Sequence, residues 1–160
     1  MALSDRSGHS HLSRKKIGDG SASLEASRQS LQNETLDVVI ARMDDMPDAT
    51  LSNLKFIKCD VEGHERKVFL GAEQTIRRHR PVVQFESMVS DDATSDIFSF
   101  FFSLGYSGVM FLGDKFLPHS NPDRLPHYKF GLGGHRDFLF FPPEAVGTII
   151  PSELFHRFQV

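Results

Sequence analysis

Three carboxylates, Asp60, Glu62 and Glu65, crowd around Gly63 in FIKCDVEGHE at 56–65, and a fourth, Glu86, closes PVVQFE at 81–86. Carboxylates so placed suit two kinds of work at a reacting hydroxyl. One positioned group can take the proton as general base, or several can hold a divalent metal that acidifies the hydroxyl. A structural reading stands beside the chemical one: acids at a helix start complement the helix dipole and the free amides of the first turn, with Gly63 easing the chain from strand into helix. That accounts for one or two of the acids. It does not account for Asp60 directly behind a buried run, or for a fourth acid at the end of the next one. His64 belongs to the residue type that serves as general base near neutral pH, but its first-turn position predicts a side chain facing solvent.

The elements that must position these acids follow from the pattern around them. LKFIKCDV at 54–61 is β-rich, and GHERKVFLGAEQTIRRHR at 63–80 carries Val68, Phe69, Ala72 and Ile76 at helical spacing, one continuous helix with a buried stripe. Pro81 stops that helix and PVVQFE resumes as a strand. A strand, helix and strand in this order make a βαβ unit with parallel strands, so Asp60 and Glu86 are expected at one edge, the edge where open α/β sheets bind ligands. Downstream, SDIFSFFFSLG predicts a helix capped by Ser95 and stopped by Gly105, with Phe98, Phe101, Phe102 and Leu104 in the core. YSGVMFL at 106–112 is a strand, the segment up to Arg136 is rich in turn residues, and DFLFFP at 137–142 is a closing antiparallel strand. If strand 106–112 runs parallel to its neighbours, its end brings His119, His127, Tyr128 and Lys129 toward the same edge as a specificity loop. Upstream, LDVVIARM reads as a strand, and residues 18–35 as a polar, serine-rich loop. Residues 143–160 form a tail in which PSELFHRF has the pattern of a short capped helix. No internal repeat is present.

Composition narrows the functional classes. The chain has 160 residues, 39% hydrophobic and 24% charged, a globular composition that fits a single domain. No apolar run reaches the length of a membrane span and the first residues lack a secretory leader, so the expectation is a cytoplasmic protein with no membrane partner. A net charge of −3 argues against a nucleic-acid partner. The one cysteine, Cys59, sits within an apolar run as a core thiol, and the histidines, HSH at 9–11 included, lack zinc-site spacing. No Ser-His-Asp arrangement is defensible from the sequence.

The stretch FIKCDVEGHERKVFLGAEQTIRRHRPVVQFES closely resembles the core of the FkbM-type S-adenosylmethionine-dependent methyltransferases: an apolar strand, I-K-x-D-V-E-G-x-E, a helix with L-x-G-A, then proline and a strand ending in glutamate. ALSDRSG at 2–8 resembles the family's A-L-S-D-x-x-G segment, VVIARMDDM its strand ending in L-D-D, and RDFLFFP its closing strand. The resemblance implies an α/β fold with a partial Rossmann-like class I methyltransferase sheet. It implies methyl transfer from S-adenosylmethionine to a hydroxyl of a small molecule or a sugar. It also assigns Asp60, Glu62, Glu65 and Glu86 as catalytic candidates and Ala2, Leu3 and Asp60 as cofactor contacts. In the family, a glycine-rich turn and a ribose-binding acid precede the A-L-S-D segment, whereas Met1 stands directly before it here. The expectation is therefore a C-terminal portion that binds cofactor weakly by itself and self-associates through an exposed sheet edge. The competing reading is a non-catalytic remnant that serves as a folding or interaction module.

Overall fold

The computed structural model describes residues 1–14, 22–25, 34–88, 92–112, 115–119 and 135–152. The strands either side of the acid stretch pair as the sequence predicts. β4 (Phe56–Cys59) and β5 (Val82–Met88) are parallel, with Phe56 opposite Val82 and Cys59 opposite Phe85. They belong to a five-stranded sheet of order β4-β5-β8-β6-β7, in which β6 is Ser107–Leu112, β7 Lys115–His119 and β8 His135–Phe141. β8 lies antiparallel between β5 and β6, which gives β6 the same direction as β4 and β5. The C-terminal ends of β4, β5 and β6 therefore open on one edge of this sheet. A second, three-stranded sheet of order β1-β3-β2 comprises β1 (Ala2–Leu3), β2 (Gly8–Arg14) and β3 (Glu34–Ala41), and a one-turn helix, α1 (Asp48–Leu51), follows β3 in the chain. The described residues form two compact units: Met1–Asn53 with Asp60–Ile76, and Leu54–Cys59 with Arg77–Val160.

The core of the second unit is aromatic. Helix α4 (Asp92–Ser103) turns Phe98 and Phe101 onto Phe85 of β5 and Phe138 and Phe140 of β8, with ring centroids 4.8–6.2 Å apart in stacked, tilted and edge-on pairs. These rings are wholly buried, so each contributes its full apolar area and the added preference of aromatic pairs. Gly108, opposite Phe140 in the ladder, leaves the space that ring occupies: a Cβ there would lie 2.7 Å from it. Gly105, at φ +73°, ends α4 with the Gly105 amide on the Phe102 carbonyl and the Tyr106 amide on the Phe101 carbonyl, a Schellman closure. Tyr106 then donates its hydroxyl to the Pro81 carbonyl at 3.0 Å, while Arg80 lies over its ring at 4.7 Å and donates Nε to Glu144 at 2.7 Å. Burial pushes the Tyr106 phenol well above its usual range, so it stays a donor.

Several expectations are corrected. The helix expected over 63–80 is two, α2 (Glu65–Leu70) and α3 (Glu73–His79). The Gly71 carbonyl accepts the Asp44 amide, and the Asp44 carboxylate accepts the amides of Gln74 (3.3 Å) and Thr75 (2.9 Å), so a residue far upstream caps a new helix start. The predicted stripe is nonetheless buried throughout. Ser95 does not cap α4, which begins three residues earlier, at Asp92. Of the polar stretch 18–35, Glu34 and Thr35 already pair in β3, and Ser23 bridges to Ser13. Most of the rest lies outside the described residues. The turn-rich segment after β6 contains β7, and strand β2, GHSHLSR, had no counterpart in the sequence reading. In the tail, Pro143–Ala145 forms a 3-10 turn; residues from Glu153 on lie outside the described residues. Among the described residues no helix is long and apolar enough to cross a membrane.

Candidate functional site

Asp60 leaves the end of β4 exposed, and the chain then makes a tight turn, Val61–Glu62–Gly63–His64, before α2 begins. Glu62 (φ +54°) and Gly63 (φ +95°) both occupy the left-handed region, and the His64 amide returns to the Val61 carbonyl at 3.4 Å. Two positive φ values in sequence are the mark of a type I′ turn. Glycine adopts that conformation freely, but a residue with a Cβ pays roughly 1–2 kcal/mol to do so, and it persists only where its surroundings over-determine it.

Those surroundings are visible. Glu65, only 4% exposed, turns its carboxylate back on the turn: Oε1 accepts the Val61 and Gly63 amides, each at 3.2 Å. Ser23 donates its hydroxyl to the Glu62 carbonyl at 2.9 Å and accepts the Glu25 amide at 3.1 Å. His64, 5% exposed, places Nδ1 2.6 Å from Glu25 Oε1 and Nε2 3.0 Å from Ser4 Oγ. Lys67 donates to the same Glu25 oxygen at 2.9 Å. The expectation that His64 faces solvent is thus overturned, because two partners from distant segments satisfy both ring nitrogens and remove the cost of burying them. Ser4 Oγ also lies 3.0 Å from Asp5 Oδ1. A hydroxyl has one proton to give, so it donates either to Asp5 or to the His64 ring.

Burial opposes ionisation of Glu25, but hydrogen bonds and charge from Lys67 and His64 outweigh it and hold the carboxyl below its ordinary value near 4.5. A carboxyl lowered in the folded state adds stability that is present above the unfolded value and lost as pH falls through the folded one. Thermal melts are therefore expected to show the midpoint dropping as pH falls below about 4.5, less steeply in Glu25→Gln than in the parent. Identical slopes for the two proteins would contradict the Glu25 pairing.

Glu65 works on the turn's own backbone, as the structural reading of a helix-start acid allowed. Glu86 is half-buried within β5, which continues to Met88 and so does not end at the acid as expected; its ladder partner is another acid, Asp137. His119 is placed away from the expected edge. β7 runs back along β6, and His119 pairs with Gly108, at the opposite end of the hairpin from Leu112. His127, Tyr128 and Lys129 lie outside the described residues. Ala2 and Leu3 are half-buried, their backbone paired to Ile40 and Ala41 of β3. Among the described residues no group of three His, Cys, Asp or Glu side chains has the geometry to hold a metal ion.

A family model, the methyltransferase FkbM domain, matches residues 2–107, about two thirds of the chain. The chain belongs to the FkbM methyltransferase family. The FkbM match spans the whole of the pinned turn and the partners described above, from Ser4 through Ser23 and Glu25 to Lys67. No curated protein and no solved structure matches the chain. Sequence reasoning missed Ser23, Glu25 and Lys67 as parts of the network that holds this turn. Glu25 stands 39 residues from His64 in a serine-rich stretch, and only the A-L-S-D resemblance drew attention to Ser4.

Proposed function

We propose that this protein transfers a methyl group from S-adenosylmethionine to a hydroxyl of a small molecule or sugar, with Asp60 accepting the hydroxyl proton. The observation that carries this reading is an exposed Asp60 at the C-terminal end of a parallel strand, entering a turn whose backbone is held by a buried carboxylate. Family membership supplies the reaction class. The residues fit the cofactor in kind, since an acidic turn suits a cationic ligand, and Ala2, Leu3 and Asp60 would hold it. S-adenosylmethionine, when bound, supplies an activated methyl on a sulfonium. The chain's part is to align the acceptor oxygen and take up its proton as the new bond forms, and a fixed turn lowers the entropy cost of that alignment. The fold class this supports is a Rossmann-like methyltransferase sheet in which β7 and β8 run against β4, β5 and β6.

Incubation with methyl-labelled cofactor and a panel of hydroxyl acceptors tests the reading, alongside titration calorimetry of the cofactor alone. The sequence has no G-x-G-x-x-G turn between strand and helix, so the dissociation constant is expected to lie above the low micromolar range. Label is expected on a hydroxyl acceptor at saturating cofactor. Heat of binding with no transfer to any hydroxyl, amine or thiol would overturn the assignment of the reaction.

A further inference from the structure

Two segments far apart in sequence meet on the His64 ring, through Ser4 and Glu25. We propose that His64 is a positioning residue for methyl transfer: by joining Ser4 after β1, Glu25 of the 22–25 segment and the acid turn, it fixes where Asp60 and Glu62 stand. This rests on the reading of the acid turn as the reacting site. His64 touches no part of that edge itself, being buried with both ring nitrogens occupied.

The geometry leaves the turn with three restraints. Glu65 holds its amides, Ser23 holds the Glu62 carbonyl, and His64 anchors the residue where the turn becomes a helix. The Ser23 restraint depends on His64 as well. Ser23 belongs to the same short segment as Glu25, whose Oε1 is held by His64 and Lys67, and the Glu25 amide donates to Ser23 Oγ. Losing the imidazole therefore loosens two restraints out of three and leaves a left-handed Glu62 less well determined. Ionised Glu25 requires a proton on Nδ1, so His64 Nε2 either accepts the Ser4 hydroxyl or carries a second proton while Ser4 turns to Asp5. Both arrangements keep the ring tied to Ser4.

The test uses the 160-residue chain with His64→Ala, His64→Asn and His64→Gln. In the parent, nitrogen chemical shifts of the ring should show Nδ1 protonated, and the Val61 and Gly63 amides should exchange slowly. In His64→Ala those two amides are expected to exchange at least tenfold faster while the melt stays cooperative. Misplacement of a reacting group by about 1 Å costs on the order of 100-fold, so kcat should fall roughly 10- to 100-fold with KM for the cofactor within about twofold. His64→Asn, which can keep the Glu25 bond, and His64→Gln, which can keep the Ser4 bond, should each recover part of both readouts. Unchanged exchange at Val61 and Gly63 together with unchanged kcat would overturn the proposal, as would a loss confined to KM. If His64→Ala does not fold, Glu25→Gln decides by the same two readouts, because it weakens the same anchor without opening a cavity. If the parent transfers no methyl group, the reading of the reaction fails, and amide exchange alone decides whether His64 positions the turn.

Discussion

Replacing Asp60 with asparagine is expected to lower the rate of methyl transfer by about 100- to 10,000-fold, the range that general-base help commonly provides, while the melting curve stays close to that of the parent. The substitution keeps the shape and removes the charge. Asp60 is exposed, so the change opens no cavity. The backbone either side is held by groups other than the Asp60 side chain: the β4–β5 ladder before it, and Glu65 after it. The loss should therefore appear in kcat and in kcat/KM alike, as for an interaction made only in the transition state. Should Asp60 act through a divalent metal, the loss is similar, but the parent also becomes sensitive to chelators. Turnover within about twofold of the parent would remove Asp60 from the chemistry and return the acids of the turn to a structural role.

The second large effect is on stability. Gly71 sits where α2 gives way to α3, at an ordinary φ of −77°, so its glycine is required by space and not by conformation. A Cβ there would overlap the Ser4 carbonyl oxygen, and would stand 2.8 Å from the Ser4 carbonyl carbon and 3.2 Å from Asp5 Cα. All three are backbone atoms, and they cannot swing aside. The Ser4 amide is bonded to the Ala41 carbonyl and its hydroxyl meets His64, while the Gly71 carbonyl accepts the Asp44 amide. Gly71→Ala is thus expected to cost about 3 kcal/mol or more, at the upper end for overpacking, and to lower the melting temperature by roughly 6–12 °C. A shift under about 2 °C would mean that β1 yields more easily than its bonds suggest. Because the displaced atoms include Ser4, the variant should also speed amide exchange at Val61 and Gly63, linking this glycine to the same turn.

Local pattern alone determined the βαβ unit, the buried stripe Val68, Phe69, Ala72 and Ile76, the aromatic face of α4 and its glycine stop, and the closing antiparallel strand. Each depends on residues close in sequence: alternation for strands, a 3.6-residue period for helices, and a glycine able to take positive φ where a helix ends. The acid stretch was legible for the same reason, as was its family. What local pattern misjudged depended on partners far away. The helix break at Gly71–Ala72 exists because Asp44 caps the second piece, and nothing in GHERKVFLGAEQTIRRHR announces an acid 30 residues upstream. His64 was expected in solvent because its own neighbours are polar; it is buried because Ser4, 60 residues away, and Glu25, 39 away, satisfy its nitrogens. The direction of β6 needed β8 as an intermediary, and the return of β7 carried His119 away from the edge that an outgoing loop would have reached. Sequence by itself thus determined the βαβ unit, α4, the closing strand and the family they belong to. Tertiary structure decided which of the acids stands exposed and which is consumed in holding the turn, because that division is set by hydrogen bonds whose donors and acceptors meet only once the chain has folded.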